Sequence, residues 1–497
     1  MKLLSPQQIH EWDAYTIANE PISSIDLMER AADKCTDFIL DKNFTEHTIR
    51  IFCGKGNNGG DGLAIARQLI EAGVSPFVYI LEFGAKGTDD FQANLQRLHQ
   101  LTSDIHFIQS QDFFPQVNKG DIIIDALYGS GLNRPLIDLS AQLVQFINQS
   151  SAAVISIDVP SGLFIDKSSK GSPVIKATYT LTFQSLKLCF LVAENEGFFG
   201  TVEVLDINLH ASFTDNIETK LELVNAKKIS SYLQPRKKFS HKGTYGHSLL
   251  VAGSKGKMGA AVLAARACLR SGTGLLTVNI PEEGLTILQT AVPEAMCILR
   301  NNIIDYSKFS AIGIGPGLGT GDEAQKLLQN ILANCTKPVV LDADALNILS
   351  ANKELLNKVP PGSVLTPHPK EFERLCGPAS NDFERIEMAL QLSLQYPFVI
   401  ILKGHYTLTA FAGKGVFNTT GNPGMAKAGS GDTLTGIITA LLARGCKPEQ
   451  AAVLGVYLHG LAADNSLISQ SQNSMIASDM IENLGAAFYE LANAENG

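Results

Sequence analysis

Two clusters of glycine, each carrying an aspartate, hold the residue types best suited to chemistry. The first is Gly54-Lys55-Gly56-Asn57-Asn58-Gly59-Gly60-Asp61-Gly62, between an apolar run and a helical pattern. Glycines there let backbone amides approach a phosphate, and a helix N-terminus adds favourable dipole charge. Gly54, Gly56 and Gly59 also satisfy G-x-G-x-x-G, and Glu82 stands where a ribose-binding acid would. A dehydrogenase-type site therefore stays open beside a plain strand-to-helix turn. The second cluster is Asn422-Pro423-Gly424-Met425-Ala426-Lys427-Ala428-Gly429-Ser430-Gly431-Asp432, ahead of the helix-like run Leu434–Leu442. Its amides can form an anion hole, and Asp432 beside a phosphate can deprotonate a hydroxyl that attacks phosphorus. The plainer role for Asp432 is a helix N-cap.

Further polar groups follow apolar runs. Asp125 ends Ile122–Ile124 and leads into Gly129-Ser130-Gly131-Leu132-Asn133-Arg134-Pro135; Asp158-Val159-Pro160-Ser161-Gly162 follows Val154–Ile157. Asn58, Asp125 and Ser161 offer only hard oxygen ligands, which suits an alkali or alkaline-earth cation rather than zinc or iron. Taken singly, each also fits an ordinary turn. In the second half, Gly313–Gly319, Leu341–Asn347, Leu365–Phe372 and Lys403-Gly404-His405-Tyr406-Thr407 occupy equivalent places. A lysine directly after a buried strand must be solvated or matched to an anion, so Lys403 reads as a phosphate contact. His368 is held between two prolines, His405 and His459 read as structural, and no Walker motif is present.

The elements that must position these groups alternate between short apolar runs and helical patterns. Ser5, Pro6 and Gln8 have the spacing of a capped helix start. Ile49–Cys53, Phe77–Leu81, Ile122–Asp125, Ala153–Ile157, Thr178–Phe183 and Leu186–Val192 read as strands, with Leu63–Ala72 helical. A polar stretch containing Arg236-Lys237-Lys238 interrupts the pattern, which resumes with strands at His247–Ala252, Leu275–Ile280, Ala311–Ile314, Val339–Leu341, Val364–Thr366 and Phe398–Leu402. This predicts an α/β protein of two three-layer α/β/α domains, residues 1–215 and 241–497, joined by a linker at 216–240. Amphipathic segments such as Ile437–Ala443 could pack internally or between copies in a homo-oligomer.

Composition sets the limits. The 497 residues carry 40 Lys+Arg against 49 Asp+Glu, a net charge of −9, with 45% hydrophobic residues. That excludes a largely disordered chain and a nucleic-acid surface. No apolar run is long enough to span a membrane and no secretory leader is visible. Eight irregularly spaced cysteines, none in a C-x-x-C pair, suit reduced thiols in a cytoplasm.

Taken together, Leu27-Met28-Glu29-Arg30-Ala31-Ala32, the Gly-Asn-Asn-Gly-Gly-Asp-Gly segment, Asp125-Ala126-Leu127-Tyr128-Gly129-Ser130-Gly131 and Asp158-Val159-Pro160-Ser161-Gly162 resemble the NAD(P)H-hydrate epimerase domain. The resemblance implies a Rossmann-like fold and a potassium ion at Asn58, Asp125 and Ser161. It also implies a hydrated dinucleotide held by Asn57, Asn58, Gly59, Gly60 and Asp61, by Gly129 to Pro135 and by Asp158, with Asp158 catalytic. Residues 225–494 resemble the ADP/ATP-dependent NAD(P)H-hydrate dehydratase of the ribokinase-like superfamily, through His241-Lys242-Gly243, Gly259-Ala260-Ala261 and the second glycine cluster. By motif position Ala260, Gly317, His368 and Asp432 would bind substrate, Asp432 as base. Lys403, Gly404, His405, Tyr406, Thr407 and Gly431 would bind ADP or ATP, accompanied by Mg2+. Ala428, where relatives commonly have glycine, is a departure. A small-molecule kinase fused to a dinucleotide-binding domain is the alternative, and a non-enzymatic nucleotide sensor a further one.

Overall fold

The apolar runs of the first half pair into one sheet. In the computed structural model, which describes residues 1–493, the strands are β1 (Ile49–Cys53), β2 (Phe77–Leu81), β3 (Ile105–Ile108), β4 (Ile122–Ala126), β5 (Ala153–Ile157), β6 (Tyr179–Phe183) and β7 (Thr201–Leu205). Their order is β3-β2-β1-β4-β5-β6-β7, every neighbouring pair parallel. Alternation along β1 sends Ile49, Ile51 and Cys53 into one core and Phe52 into the other. That is why a continuous apolar run, not an alternating one, marks a sheet covered on both faces. The order reverses between β1 and β4, which opens a crevice at their carboxyl ends.

The second half forms β8 (Leu221–Leu223), β9 (His247–Val251), β10 (Leu275–Ile280), β11 (Met296–Leu299), β12 (Ala311–Ile314), β13 (Val339–Leu341), β14 (Val364–Leu365), β15 (Val399–Leu402), β16 (Leu408–Phe411) and β17 (Lys414–Phe417). They lie in the order β11-β10-β9-β12-β13-β14-β15-β16-β17-β8. The sheet is parallel from β11 to β15, whereas β16 is antiparallel to both of its neighbours. By contact the chain divides into Lys2–Thr219 and a second unit built from Lys220–Ser380 and Glu384 onward. The stretch expected as a linker carries β8, paired with β17, and the short helix Ala226–Ser230.

Several local expectations change. The N-terminal capping box forms as read: Gln8 N donates to Ser5 Oγ at 3.3 Å, and Ser5 N donates to Gln8 Oε1 at 3.0 Å. Leu186–Val192 is not a strand but contains the 3-10 turn Leu188–Leu191, and β7 takes the sheet edge. The cause is Lys187, whose ammonium turns inward to Thr182 Oγ1 at 2.6 Å. The Ile437–Ala443 face lies inside the second unit, because the Ser430–Ala443 helix is buried from Thr433 to Ala443. No described helix is long and apolar enough to cross a membrane.

Candidate active sites

The first glycine cluster is not a free loop: its residues from Asn57 onward form the first turns of the helix Asn57–Glu71. An added Cβ on Gly59 would stand 1.8 Å from the Gly54 carbonyl oxygen, and one on Gly54 2.0 Å from that of Leu127. On Gly62 it would stand 2.6 Å from Ala126 Cβ, and on Gly60 2.8 Å from Met28 Sδ. These glycines seat the helix against the ends of β1 and β4 by closeness, since none has a positive φ. Gly59 and Gly60 are themselves buried, whereas Asn57 is exposed. Lys55 pairs with Glu82, which also accepts from Gly84 N at 2.7 Å. Glu82 is thus committed to holding this turn, which removes the main support for a ribose-binding acid.

Asn58 points both side-chain polar atoms into the interior with no partner among the described residues. Asp125, fully buried, accepts from Leu127 N, Ser156 Oγ, Ser161 N and Ser161 Oγ at 3.3, 2.8, 2.9 and 2.6 Å. The single Ser161 hydroxyl proton can instead go to Tyr128 O at 3.1 Å, which frees a carboxylate lone pair. A buried carboxyl, an orphaned amide oxygen and a hydroxyl oxygen offer hard oxygen donors that fit a hard monovalent cation.

Asp158 is the centre of the first site. It follows β5 with φ 65°, an uncommon conformation for a non-glycine residue. Its Oδ1 is 2.8 Å from Lys187 Nζ and its Oδ2 accepts from Ser130 N at 2.8 Å. Burial opposes the charged form, but the Lys187 ammonium prevails and holds the carboxyl below the usual range. The same void is shared with Asn58: a Cβ on Gly129 would stand 2.9 Å from Asp158 Oδ2 and 3.1 Å from Asn58 Oδ1. Beyond Ser130 the loop opens to solvent, with Gly131, Asn133, Arg134 and Pro135 exposed and Leu132 half-buried. Asp61 behaves oppositely to Asp158, pushed well up by burial and by the Asp158 and Asp13 carboxyls. Lys187 escaped the sequence reading, although it is the only charge in the apolar run Leu186–Val192, and that was the available signal.

The second site gathers around Asp342, at the end of β13. Its Oδ1 accepts from Lys403 Nζ at 2.9 Å and Thr366 Oγ1 at 2.8 Å, and its Oδ2 from Thr435 Oγ1 at 2.8 Å. Burial is outweighed by Lys403, so Asp342 stays below the usual carboxylate range. The anion that Lys403 meets is therefore a protein carboxylate, with Glu371 Oε2 also 3.8 Å away. Neither Asp342 nor Glu371 was given a role by the sequence, though both lie inside its motifs.

Gly429, with φ 93°, is the N-cap of the Ser430–Ala443 helix, and no side chain caps it. Asp432 thus lies within the first turn and is not the N-cap. The first amides of that helix have no intrahelical acceptor and stay open to an anion. A Cβ on Gly431 would stand 3.5 Å from Lys403 Nζ and 3.6 Å from Asp342 Oδ2, so lysine and amides border one space. Burial, then Asp342, push Asp432 up to about 6 against the pull of Lys403.

Ala260 and Gly317 adjoin: a Cβ on Gly317 (φ 59°) would stand 3.1 Å from Ala260 Cβ. Asp344 ties this corner down, accepting from Gly319 N at 2.7 Å and lying 3.6 Å from Lys257 Nζ. His368 caps the helix Pro369–Cys376 through Nδ1, which accepts from Lys370 N and Glu371 N at 3.2 and 3.4 Å. Lys403 to Thr407 form the turn from β15 to β16; Gly404 and His405 are exposed, and the His405 ring packs on Tyr406 at 4.5 Å. His459 is buried, pushed down to about 4, and 3.3 Å from Ser430 Oγ, which makes it a brace under the second glycine cluster.

An open sheet in each half, wholly parallel in the first and largely parallel in the second, with a carboxylate–lysine site beyond its strand ends, defines a two-site α/β enzyme. Residues 248–485 match the NAD(P)H-hydrate dehydratase family and residues 24–189 the YjeF-related protein N-terminus. The bifunctional NAD(P)H-hydrate repair enzyme of Moorella thermoacetica is 34% identical, over 100% of this chain and 97% of its own. The enzyme of that name from Coxiella burnetii is 33% identical, over 97% and 98% respectively. A ribokinase-like superfamily protein from Enterococcus faecalis superposes with a TM-score of 0.51 and 28% identity, covering 56% of this chain and 98% of that one. The chain belongs to the family of bifunctional NAD(P)H-hydrate repair enzymes.

Proposed function

We propose that the first unit interconverts the R and S hydrates of NADH and NADPH, and that the second dehydrates the S form using ADP or ATP. The observation that carries this is the presence of two independent carboxylate–lysine sites in one chain: Asp158 with Lys187, and Asp432 with Lys403 and Asp342. Hydration at C6 of the reduced nicotinamide creates a carbinolamine stereocentre whose hydroxide is a poor leaving group. In the second site Asp432 deprotonates that hydroxyl, which attacks the terminal phosphoryl. The nucleotide leaves from phosphorus, and phosphate then leaves C6 with the ring-nitrogen lone pair behind it. Loss of a C5 proton restores the dihydronicotinamide. Lys403 and the Gly429, Ser430 and Gly431 amides face the charge that develops on phosphorus. Ala260, Gly317 and His368 border the substrate, and Lys403 to Thr407 with Gly431 the nucleotide.

Among the described residues no three His, Cys, Asp or Glu side chains converge on a metal position. This fits Mg2+ carried on nucleotide phosphates rather than in a protein cage. In the first unit Asn58, Asp125 and Ser161 would hold K+, which supplies fixed positive charge beside the dinucleotide. An assay on mixed R and S hydrates with ADP or ATP tests the whole. Complete return of NADH absorbance with stoichiometric inorganic phosphate is expected. A stable phosphorylated product would instead identify a kinase.

A further inference from the structure

The second carboxyl of the epimerising site comes from the N-terminal helix Pro6–Asn19, outside the residues that match the family's N-terminal model. On that helix Ile9 packs against the cluster of Val159, Leu163, Ile165 and Cys189, whose members flank Asp158 and Lys187. Asp13 stands one turn further along the same face and is thereby aimed at the same place. Its carboxyl makes no hydrogen bond or ion pair among the described residues. The charged and titratable groups around it are Asp158, after β5; Lys187, after β6; Asp61, on the Asn57–Glu71 helix; and His10, on its own helix.

We propose that Asp13 is the proton donor that works opposite Asp158 in the epimerisation. This rests on the first unit being an epimerase. The Asp13 proton goes to the C6 hydroxyl, and the C6–O bond breaks with its electron pair leaving on water. The ring-nitrogen lone pair becomes the C6=N1 bond. A water then adds to the other face of C6, the π pair returns to nitrogen, and Asp158 takes the proton of the entering water. One water leaves and one enters; one proton passes from Asp13 to Asp158, and reversal of these steps interconverts S to R. The assignment of donor and acceptor follows the environments. Lys187 keeps Asp158 ionised, whereas burial and then the Asp158 charge push Asp13 up to about 6. Asp61 is itself pushed well up by burial and then by the Asp158 and Asp13 carboxyls.

The test follows R-to-S conversion by the full chain between pH 5 and pH 8. Dehydration of pure S hydrate by the same preparation, measured at one fixed pH of 8 for every sample, reports the amount of active protein. For the wild-type chain the conversion rate is expected to fall as pH rises through about 6, as the donor proton is lost. Asp13→Asn is expected to lower the rate about 100-fold and to abolish that limb, and Asp13→Glu to restore part of both. An Asp13→Asn rate equal to wild type overturns the proposal. A loss of rate that leaves the limb in place also overturns it, since Asp13 would then only position the helix. A wild-type chain that converts no R hydrate would instead defeat the epimerase assignment on which the proposal rests.

Discussion

Single residues acquire function here from what surrounds their charge. Asp158, buried, and Asp432, half-buried, are both carboxyls beside a lysine, yet they shift in opposite directions. Asp158 has an ammonium at 2.8 Å, so attraction outweighs desolvation. Asp432 shares its lysine with Asp342, which already occupies it at 2.9 Å, so burial and like charge prevail. A carboxyl raised to about 6 is largely ionised at neutral pH and still basic enough to deprotonate a hydroxyl. Nucleotide-dependent dehydration of the S hydrate is therefore expected to rise with pH through about 6 and level off. Asp432→Asn should lower its rate by about 10²–10⁴-fold and flatten that rise. A variant with near-wild-type turnover would remove Asp432 as the base.

At the scale of elements, the glycines of the first cluster are chiefly packing devices. The Asn57–Glu71 helix meets the ends of β1 and β4 at backbone distance, and no side chain fits at Gly59. Gly59→Ala is expected to destabilise the first unit by about 2 kcal/mol or more, the cost of overpacking against backbone. Gly56 differs: it is the helix N-cap, and an added Cβ meets nothing within 4 Å. Gly56→Ser, which can accept from a helix amide, should be neutral or stabilising by about a few tenths of a kcal/mol. Urea unfolding followed by Trp12 fluorescence measures both, because this sole tryptophan is buried in the first unit, donating to His210 O at 3.0 Å. Equal stability of the two variants would show that the contact at Gly59 does not govern the helix position.

At the scale of the whole molecule, two units with their own sheets and cores carry two separable activities. Asp158→Ala should dehydrate S hydrate normally but stop at the S fraction of a mixture. Asp432→Asn should interconvert R and S at the wild-type rate yet return NADH only at its much reduced rate; each is checked by absorbance with chromatography of the epimers, and loss of both activities in either variant would contradict this independence. Much of this organisation was legible beforehand. Predominantly apolar runs located β1, β2, β5, β10, β12 and β13 to the residue, because strands covered on both faces are buried along most of their length and stand out from their polar flanks. The half-exposed edge strands β3, β7 and β11 lacked that signal, and the Leu186–Val192 run misled because an inward lysine turned it. Ordered motifs brought Asp125, Asp158, Ser161, Gly317 and Asp432 into view: Asp125 lies in the last residues of β4, Asp158, Ser161 and Gly317 in the turns after β5 and β12, and Asp432 in the first turn of a glycine-led helix. By itself the amino-acid sequence determined which groups stand at which strand ends, a matter of local pattern and spacing. Only the tertiary structure decided which charges meet: Lys187 with Asp158, Lys403 with Asp342 across 61 residues, and Asp13 with the first site. Those pairings depend on how separate elements pack in space, and they set the protonation states on which the chemistry runs.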